Sequence, residues 1–134
     1  MTKESNIFIS HHIVKSDEID DLNHVNNAVY VKWMDNVAYL HWQKLTENHP
    51  LPDYIWVVSR HEIDYKRQAV LGDEIEIKTW VGETSGIKSI RHIEFYKDQK
   101  LLVKSKTFWV LLNAKTYKPT RITENVLKVL EASK

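Results

Sequence analysis

The segment DDLNHVNNAVYVKW, residues Asp20–Trp33, joins a polar cluster directly to the most hydrophobic part of the chain. Its first eight residues include two aspartates, one histidine and three asparagines, and neither glycine nor proline separates them from the apolar run that follows. Aspartate and asparagine favour positions in front of a helix, because their side chains accept hydrogen bonds from the free N–H groups of its first turn. The segment therefore predicts that a helix begins near Asn27.

The predicted helix runs from Asn27 to about Glu47, because apolar residues recur there at helical spacing. They are Val29, Tyr30, Trp33, Met34, Val37, Ala38, Leu40, Trp42 and Leu45. Only a narrow polar stripe remains, so we expect this helix to be covered on most sides. The two prolines in NHPLPD, residues 48–53, end it.

Most of the remaining sequence has the period-two alternation that is typical of β-strands. A first strand is predicted in NIFISHHIV before the helix, and four more follow it in VVSRHEIDYK, EIEIKTWV, IKSIRHIEFY and LLVKSKTFWVLL. Thr123 is a plausible N-cap for a short final helix, in which Val126, Leu127 and Leu130 face inward.

This order of elements predicts one α+β domain, residues 1–134, in which a curved antiparallel sheet wraps around the long central helix. We expect Ile75, Ile77 and Ile93 to face the helix. One small sheet leaves part of so apolar a helix uncovered, so a second subunit is expected to cover the rest.

Composition excludes several functional classes. The formal net charge is +1, so no strong field would recruit nucleic acid. The absence of cysteine excludes disulfides and thiolate sites, and it suits a cytoplasmic location. No apolar run is long enough to cross a membrane. No metal-binding or phosphate-binding motif is present, so we expect neither a metal nor a cofactor.

The opening segment also resembles the signature of hotdog-fold thioesterases, in the branch near 4-hydroxybenzoyl-CoA thioesterase and the acyl-CoA and acyl-ACP thioesterases. That signature is an aspartate, three residues, His-Val-Asn-Asn, two residues and a tyrosine, which here runs from Asp20 through His24 to Tyr30. The Gly-Asp turn in LGDEIEIKTWV and the C-terminal KTFWVLLNAKTYKPTRI extend the resemblance over nearly the whole chain.

The resemblance implies hydrolysis of an acyl-CoA or acyl-ACP thioester, a reaction of fatty acid metabolism, at a site beside the N-terminus of the central helix. It also implies a homodimer or homotetramer, and it places Asp20 on the family's catalytic carboxylate. Leu22 stands where plant-type acyl-ACP thioesterases have asparagine, and Asp35 and Ala38 stand where relatives often have glutamate and arginine.

The chemistry of the segment is consistent with that reaction. A carboxylate can act as a general base or attack a thioester directly, and free N–H groups at a helix start can hold the carbonyl oxygen. Asp20 is the first candidate, with His24 either orienting it or serving the loop structurally. The substrate-binding candidates are Asn26, Asn27, Tyr30 and His61; the asparagines could also be simple caps, and His61 could be a core histidine.

Two rival functions remain open, a non-catalytic acyl-thioester-binding protein and a hotdog hydratase or dehydratase. The carboxylate-led loop before the helix favours the thioesterase. Lys66, Arg67, Lys88 and Arg91 could contact a CoA phosphate, although charged strand faces are usually only solvated.

Overall fold

The computed structural model describes residues 7–131. Its elements follow the predicted order of strand, long helix, four strands and short helix. They are β1 (Phe8–Ile13), a single 3₁₀ turn (Ser16–Glu18), α1 (Asn27–Leu45), β2 (Tyr54–Tyr65), β3 (Glu74–Ser85), β4 (Lys88–Lys97), β5 (Lys100–Asn113) and α2 (Glu124–Glu131). Asn6, the predicted start of the first strand, lies outside the described residues.

The strands form one antiparallel sheet in the order β1-β3-β4-β5-β2. The three central strands follow one another along the chain through tight turns, whereas β1 and β2 form the two edges. The predicted fold class, an antiparallel sheet packed on a long helix, is confirmed.

Helix α1 begins where the sequence predicts, because the side chain of Asn26 caps it: Asn26 Oδ1 accepts from the Ala28 amide at 2.9 Å. Its buried face consists of Tyr30, Trp33, Met34, Val37, Ala38, His41 and Leu45. The expectation of cover on most sides holds only in part, since Tyr39 is 58% exposed and Leu40 is 37% exposed. No helix within residues 7–131 is long and apolar enough to cross a membrane.

The core lies between α1 and the middle of the sheet. Ile75, Ile77 and Ile93 face the helix as predicted, and all three are buried. A second cluster forms where α2 closes the far end of the sheet: its members are Leu45, Leu111, Ile122, Val126, Val129 and Leu130. The central strands β3, β4 and β5 therefore supply most of the buried sheet residues that pack on α1, and the edge strand β2 contributes less.

Strand β2 departs from the simple alternation predicted for it. It begins at Tyr54, and its register with β5 shifts between Val58 and Arg60. A β-bulge breaks the period of two, so residues on either side of it no longer alternate in step. Val57 and Val58 are therefore both partly exposed, at 38% and 37%.

Candidate active site

The polar cluster in front of α1 folds into a tight loop. Ile19 and Val25 form an antiparallel bridge, and the Asp20 amide donates to the His24 carbonyl at 2.8 Å. Asn23 turns the chain with a φ of 62°, a left-handed conformation that asparagine tolerates better than most residues. The bond and the bridge therefore close residues 20–24 into a short loop.

Asp20 is exposed, and its carboxylate is oriented by the loop itself. Its Oδ1 accepts from the amides of Leu22 at 2.9 Å and His24 at 3.1 Å. Its Oδ2 accepts no hydrogen bond from any group in residues 7–131. One oxygen thus fixes the side chain and the other remains available for chemistry.

The loop is held against the rest of the protein on both sides. The Val25 amide donates to the Ala69 carbonyl, and the Asn26 amide donates to the Glu18 carbonyl, both at 2.9 Å. These bonds attach the start of α1 to the 3₁₀ turn before it and to the segment after β2.

That second segment is itself braced by the Gly-Asp turn that the resemblance singled out. Gly72 has a φ of +86°, which glycine adopts without the steric cost of a Cβ. Asp73 then accepts from the Val70 amide at 2.9 Å and pairs with Lys97 at 2.7 Å. The turn therefore supports the strand-like contact that Val70 makes with His24.

The first turn of α1 has few free donors. Asn26 already accepts hydrogen bonds from the amides of Ala28 and Val29, both at 2.9 Å. The amide of Asn27, at the first helical position, donates to no group among the described residues. Asn27 therefore offers the clearest free N–H at the positive end of the helix.

The other predicted residues lie at different distances from Asp20. His24 is half-buried beside it in the loop. Tyr30 is buried, its hydroxyl has no hydrogen-bond partner in the described chain, and burial raises its pKa to about 12. His61 lies on β2, where its Nδ1 is 2.9 Å from Thr107 Oγ1.

The start of α1 contacts β2 at Tyr65. The Tyr65 ring packs against Tyr30, and its hydroxyl donates a long hydrogen bond of 3.4 Å to the Asn27 carbonyl. His61 is four residues away along the strand, roughly 13 Å at the usual rise per residue. The structure thus gathers Asp20, His24, Asn26 and Asn27 at one end of the helix and leaves His61 apart from them.

Sequence reasoning missed a second polar cluster, built on Glu18. Its carboxylate lies 2.8 Å from His12 Nε2 and accepts from the Trp33 indole at 3.2 Å. Burial acts to raise the pKa of Glu18, but the hydrogen bonds with His12, the Lys15 amide and Trp33 outweigh it and lower the pKa below its usual 4.5. The signal was available, since strand alternation places His12 on the half-buried side of β1.

A cavity of about 320 Å³ lies between the second half of α1 and the sheet. Its lining is mostly aromatic and aliphatic, and its non-aromatic polar groups are one carboxylate, one serine hydroxyl and one guanidinium. The lining residues are Asp35, Ala38, Tyr39, Trp42, Tyr54, Ile55, Trp56, Val81, Ser89, Arg91, Trp109 and Leu130.

The sequence suggests as an alternative that Arg91 could contact a CoA phosphate. The structure corrects this, because the Arg91 side chain faces the protein interior. It is 5% exposed, and its Nη1 donates to His41 Nδ1 at 2.8 Å and to Thr79 Oγ1 at 3.1 Å. Burial, and secondarily the charge of Arg91, lower the pKa of His41 to about 3, so His41 is neutral and accepts this bond.

Comparison with known proteins agrees with the resemblance. Residues 5–130 match the model of the acyl-ACP thioesterase N-terminal domain. A chloroplastic acyl-[acyl-carrier-protein] hydrolase of Cuphea viscosissima is 32% identical over 82 residues, which are 59% of this chain and 20% of that protein. The chain thus spans about a fifth of the length of the curated relatives it matches.

Solved structures share the fold at lower identity. A predicted thioesterase from Bacillus stearothermophilus superposes with a TM-score of 0.84 at 19% identity, covering 95% of this chain and 96% of that one. A hypothetical protein of Staphylococcus aureus, solved in complex with CoA, superposes with a TM-score of 0.83 at 16% identity, covering 95% and 83%. Since the family model matches residues 5–130, the chain belongs to the hotdog-fold acyl thioesterase family, in the group of the acyl-ACP thioesterase N-terminal domain.

Proposed function

We propose that the protein hydrolyses acyl-CoA or acyl-ACP thioesters, with the Asp20 carboxylate acting on the thioester as base or nucleophile. The observation that carries this proposal is the state of Asp20, whose Oδ1 is fixed by two loop amides while Oδ2 is left free beside the start of α1. Membership in the acyl thioesterase family supports the same reaction.

In the proposed mechanism the amide of Asn27 donates to the thioester carbonyl oxygen. Its N–H is unoccupied and lies at the positive end of the helix dipole, where it would stabilise the negative charge that develops on that oxygen. Asp20 Oδ2 then either removes a proton from water or attacks the carbonyl carbon to give a mixed anhydride, which water hydrolyses. Either route releases the thiol and the free acid.

The acyl chain would occupy the space between α1 and β2. The cavity begins at Asp35, eight residues beyond Asn27, which is about 12 Å along the helix axis. Strand β2 extends from the helix start to this cavity, since Tyr65 contacts the helix start and Trp56 lines the cavity. A volume of about 320 Å³ falls at the small end of the range for ligand pockets.

We also propose that two copies of the chain associate through β2. Strand β2 has 12 residues and lies at an edge of the sheet, so the N–H and C=O groups along its outer side are unpaired and can pair with a strand of a second chain. Val57, Val58 and Tyr65 add exposed apolar surface on this strand, and Tyr39 and Leu40 add more on α1. A homodimer would bury these side chains; a pair of such dimers would form the predicted homotetramer.

The carrier of the acyl group is proposed to be CoA or an acyl carrier protein. The Cuphea relative is named as an acyl-[acyl-carrier-protein] hydrolase, and the Staphylococcus aureus neighbour was solved with CoA. Both carriers present the thioester on a phosphopantetheine arm, so one site geometry serves either.

A panel of short, long and aromatic acyl-CoAs, assayed by release of free thiol, tests this function. We expect steady turnover of at least one member, and lower turnover in Asp20→Asn. Tight binding of acyl-CoA without thiol release would favour the non-catalytic binding protein. Hydration of an enoyl-CoA without thiol release would favour the hydratase.

A further inference from the structure

The cavity beside α1 contains a buried positive charge that no carboxylate of the described chain neutralises. Arg91 takes part in none of the ion pairs formed within residues 7–131. Its two hydrogen bonds to protein groups both use Nη1, which leaves the donors on Nε and Nη2 without acceptors among those residues. Asp35 also lines the cavity, but it is exposed and forms no ion pair with Arg91.

The register of the sheet shows why Arg91 points into this cavity. Arg91 is paired with Val81 on β3 and with Thr107 on β5, and Thr107 is paired with His61 on β2. Directly paired residues share a face of the sheet, so this row faces α1. Arg91 therefore projects from the centre of the sheet toward the second half of the helix.

A second donor lines the same cavity. The Trp109 indole N–H is buried and has no hydrogen-bond partner among the described residues. Trp109 is paired with Ser89, two residues from Arg91 along β4, so the Trp109 and Arg91 side chains start from the same face of the sheet. A buried charge and a buried donor are both costly when they lack partners, and both line this one pocket.

We propose that this cavity binds acyl groups that carry a carboxylate at the end distal to the thioester, held by Arg91 with help from the Trp109 indole. The proposal rests on the proposed thioesterase function and names its substrate class. A carboxylate would accept charge-assisted hydrogen bonds from the free Nε and Nη2 donors, and it would neutralise the buried charge. The aromatic and aliphatic walls would pack against the methylene chain between the two ends.

The test compares three thioesters of twelve carbons, dodecanedioyl-CoA, ω-hydroxydodecanoyl-CoA and dodecanoyl-CoA, because the cavity begins about 12 Å from Asn27 along the helix axis. We expect kcat/KM for the dodecanedioyl ester to exceed that for dodecanoyl-CoA about tenfold or more, the scale of a hydrogen bond to a charged group. The hydroxyl ester should lie between them. Equal values for all three, or a preference for dodecanoyl-CoA, would overturn the proposal.

Variants assign the preference to the cavity. Arg91→Met should abolish the preference for the carboxylate, so that kcat/KM for dodecanedioyl-CoA no longer exceeds kcat/KM for dodecanoyl-CoA. Trp109→Phe, which removes the indole N–H and also shortens the ring system, should reduce the preference in part and serves if the Arg91 variant does not fold. Lys88→Met removes an exposed charge from the same strand and should leave the preference unchanged. Retention of the full preference in both cavity variants would overturn the assignment.

A binding measurement separates failure of this inference from failure of the proposed function. Trp42, Trp56 and Trp109 line the cavity, so occupancy should change the intrinsic fluorescence of the wild-type protein. Dodecanoate, whose carboxylate can pair with Arg91, should bind about tenfold or more tightly than methyl dodecanoate, which carries no charge. If no thioester is hydrolysed but this difference is present, the hydrolase assignment fails and the cavity assignment stands. If acyl-CoAs are hydrolysed but the two ligands bind equally well, the hydrolase assignment stands and the cavity assignment fails.

Discussion

Buried His41 should make the stability of this protein depend on pH well above the range in which carboxylates titrate. His41 is 2% exposed, it accepts a hydrogen bond from Arg91, and its pKa is lowered from 6.5 to about 3 by burial and by that guanidinium. The unfolded chain therefore binds a proton at His41 as the pH falls through 6.5, whereas the folded chain does not until about pH 3.

The sign and size of the effect follow from this difference. A lowered folded-state pKa means that the contribution is fully present above pH 6.5 and is lost as the pH falls. Each unit below the unfolded pKa costs about 1.4 kcal/mol, so the loss is about 2 kcal/mol at pH 5 and levels off near pH 3. The pKa of Glu18 is lowered from 4.5, so the stability that Glu18 contributes is lost below that value, outside the interval from pH 7 to 5.

The assay is urea unfolding at several pH values between 7 and 5, at constant ionic strength, for the wild type and His41→Asn. Asparagine keeps an oxygen that can accept from Arg91 but does not titrate. We expect the free energy of unfolding of the wild type to fall by about 2 kcal/mol more than that of the variant over this range. Equal pH dependence in the two proteins would refute the account of His41, because all other histidines are common to both.

Two further predictions concern packing and assembly. Phe95 is fully buried between α1 and the sheet, so Phe95→Ala should lower the free energy of unfolding by roughly 3–5 kcal/mol in urea titrations. Phe108 is only half-buried, so Phe108→Ala should lower it clearly less. Light scattering should give about twice the 15.9 kDa chain mass for the wild type and a lower mass for Val58→Lys on the edge strand. Leu71 is an exposed turn residue, so Leu71→Lys should leave the mass unchanged. A monomeric wild type at micromolar concentration would exclude the β2 dimer.

Local pattern was sufficient for most of the fold. The start of α1 could be predicted because Asn26 caps it through a bond between near neighbours in the sequence. The inward residues of β3 and β4 could be predicted because period-two alternation reports which face is buried, and Ile75 and Ile93 both obey it. The bulge in β2 could not be predicted, since it depends on the register of pairing with β5 and not on the residues of β2 alone.

The polar interior was less accessible to sequence reasoning. Arg91 is one of several basic residues on the strands, and only the pairing of β4 with its neighbours places it at the cavity. The contact between His12 and Glu18 likewise requires the chain to turn back after β1. The candidate loop was different, because Asp20, His24 and Asn27 lie within eight residues and their proximity follows from the sequence itself. The catalytic role of Asp20 stays a prediction.

The single-turnover rate of acyl-CoA cleavage by Asp20→Asn, measured together with the Kd for the same acyl-CoA, tests the central claim most directly. Asparagine retains the oxygen that accepts from the Leu22 and His24 amides, so the loop and the Kd should be nearly unchanged. The rate should fall by about 10²-fold or more, the scale of lost general acid–base catalysis. Asp21→Asn is the control: it removes the exposed carboxylate next to Asp20 and should cleave at the wild-type rate. Cleavage at the wild-type rate by Asp20→Asn would contradict the account.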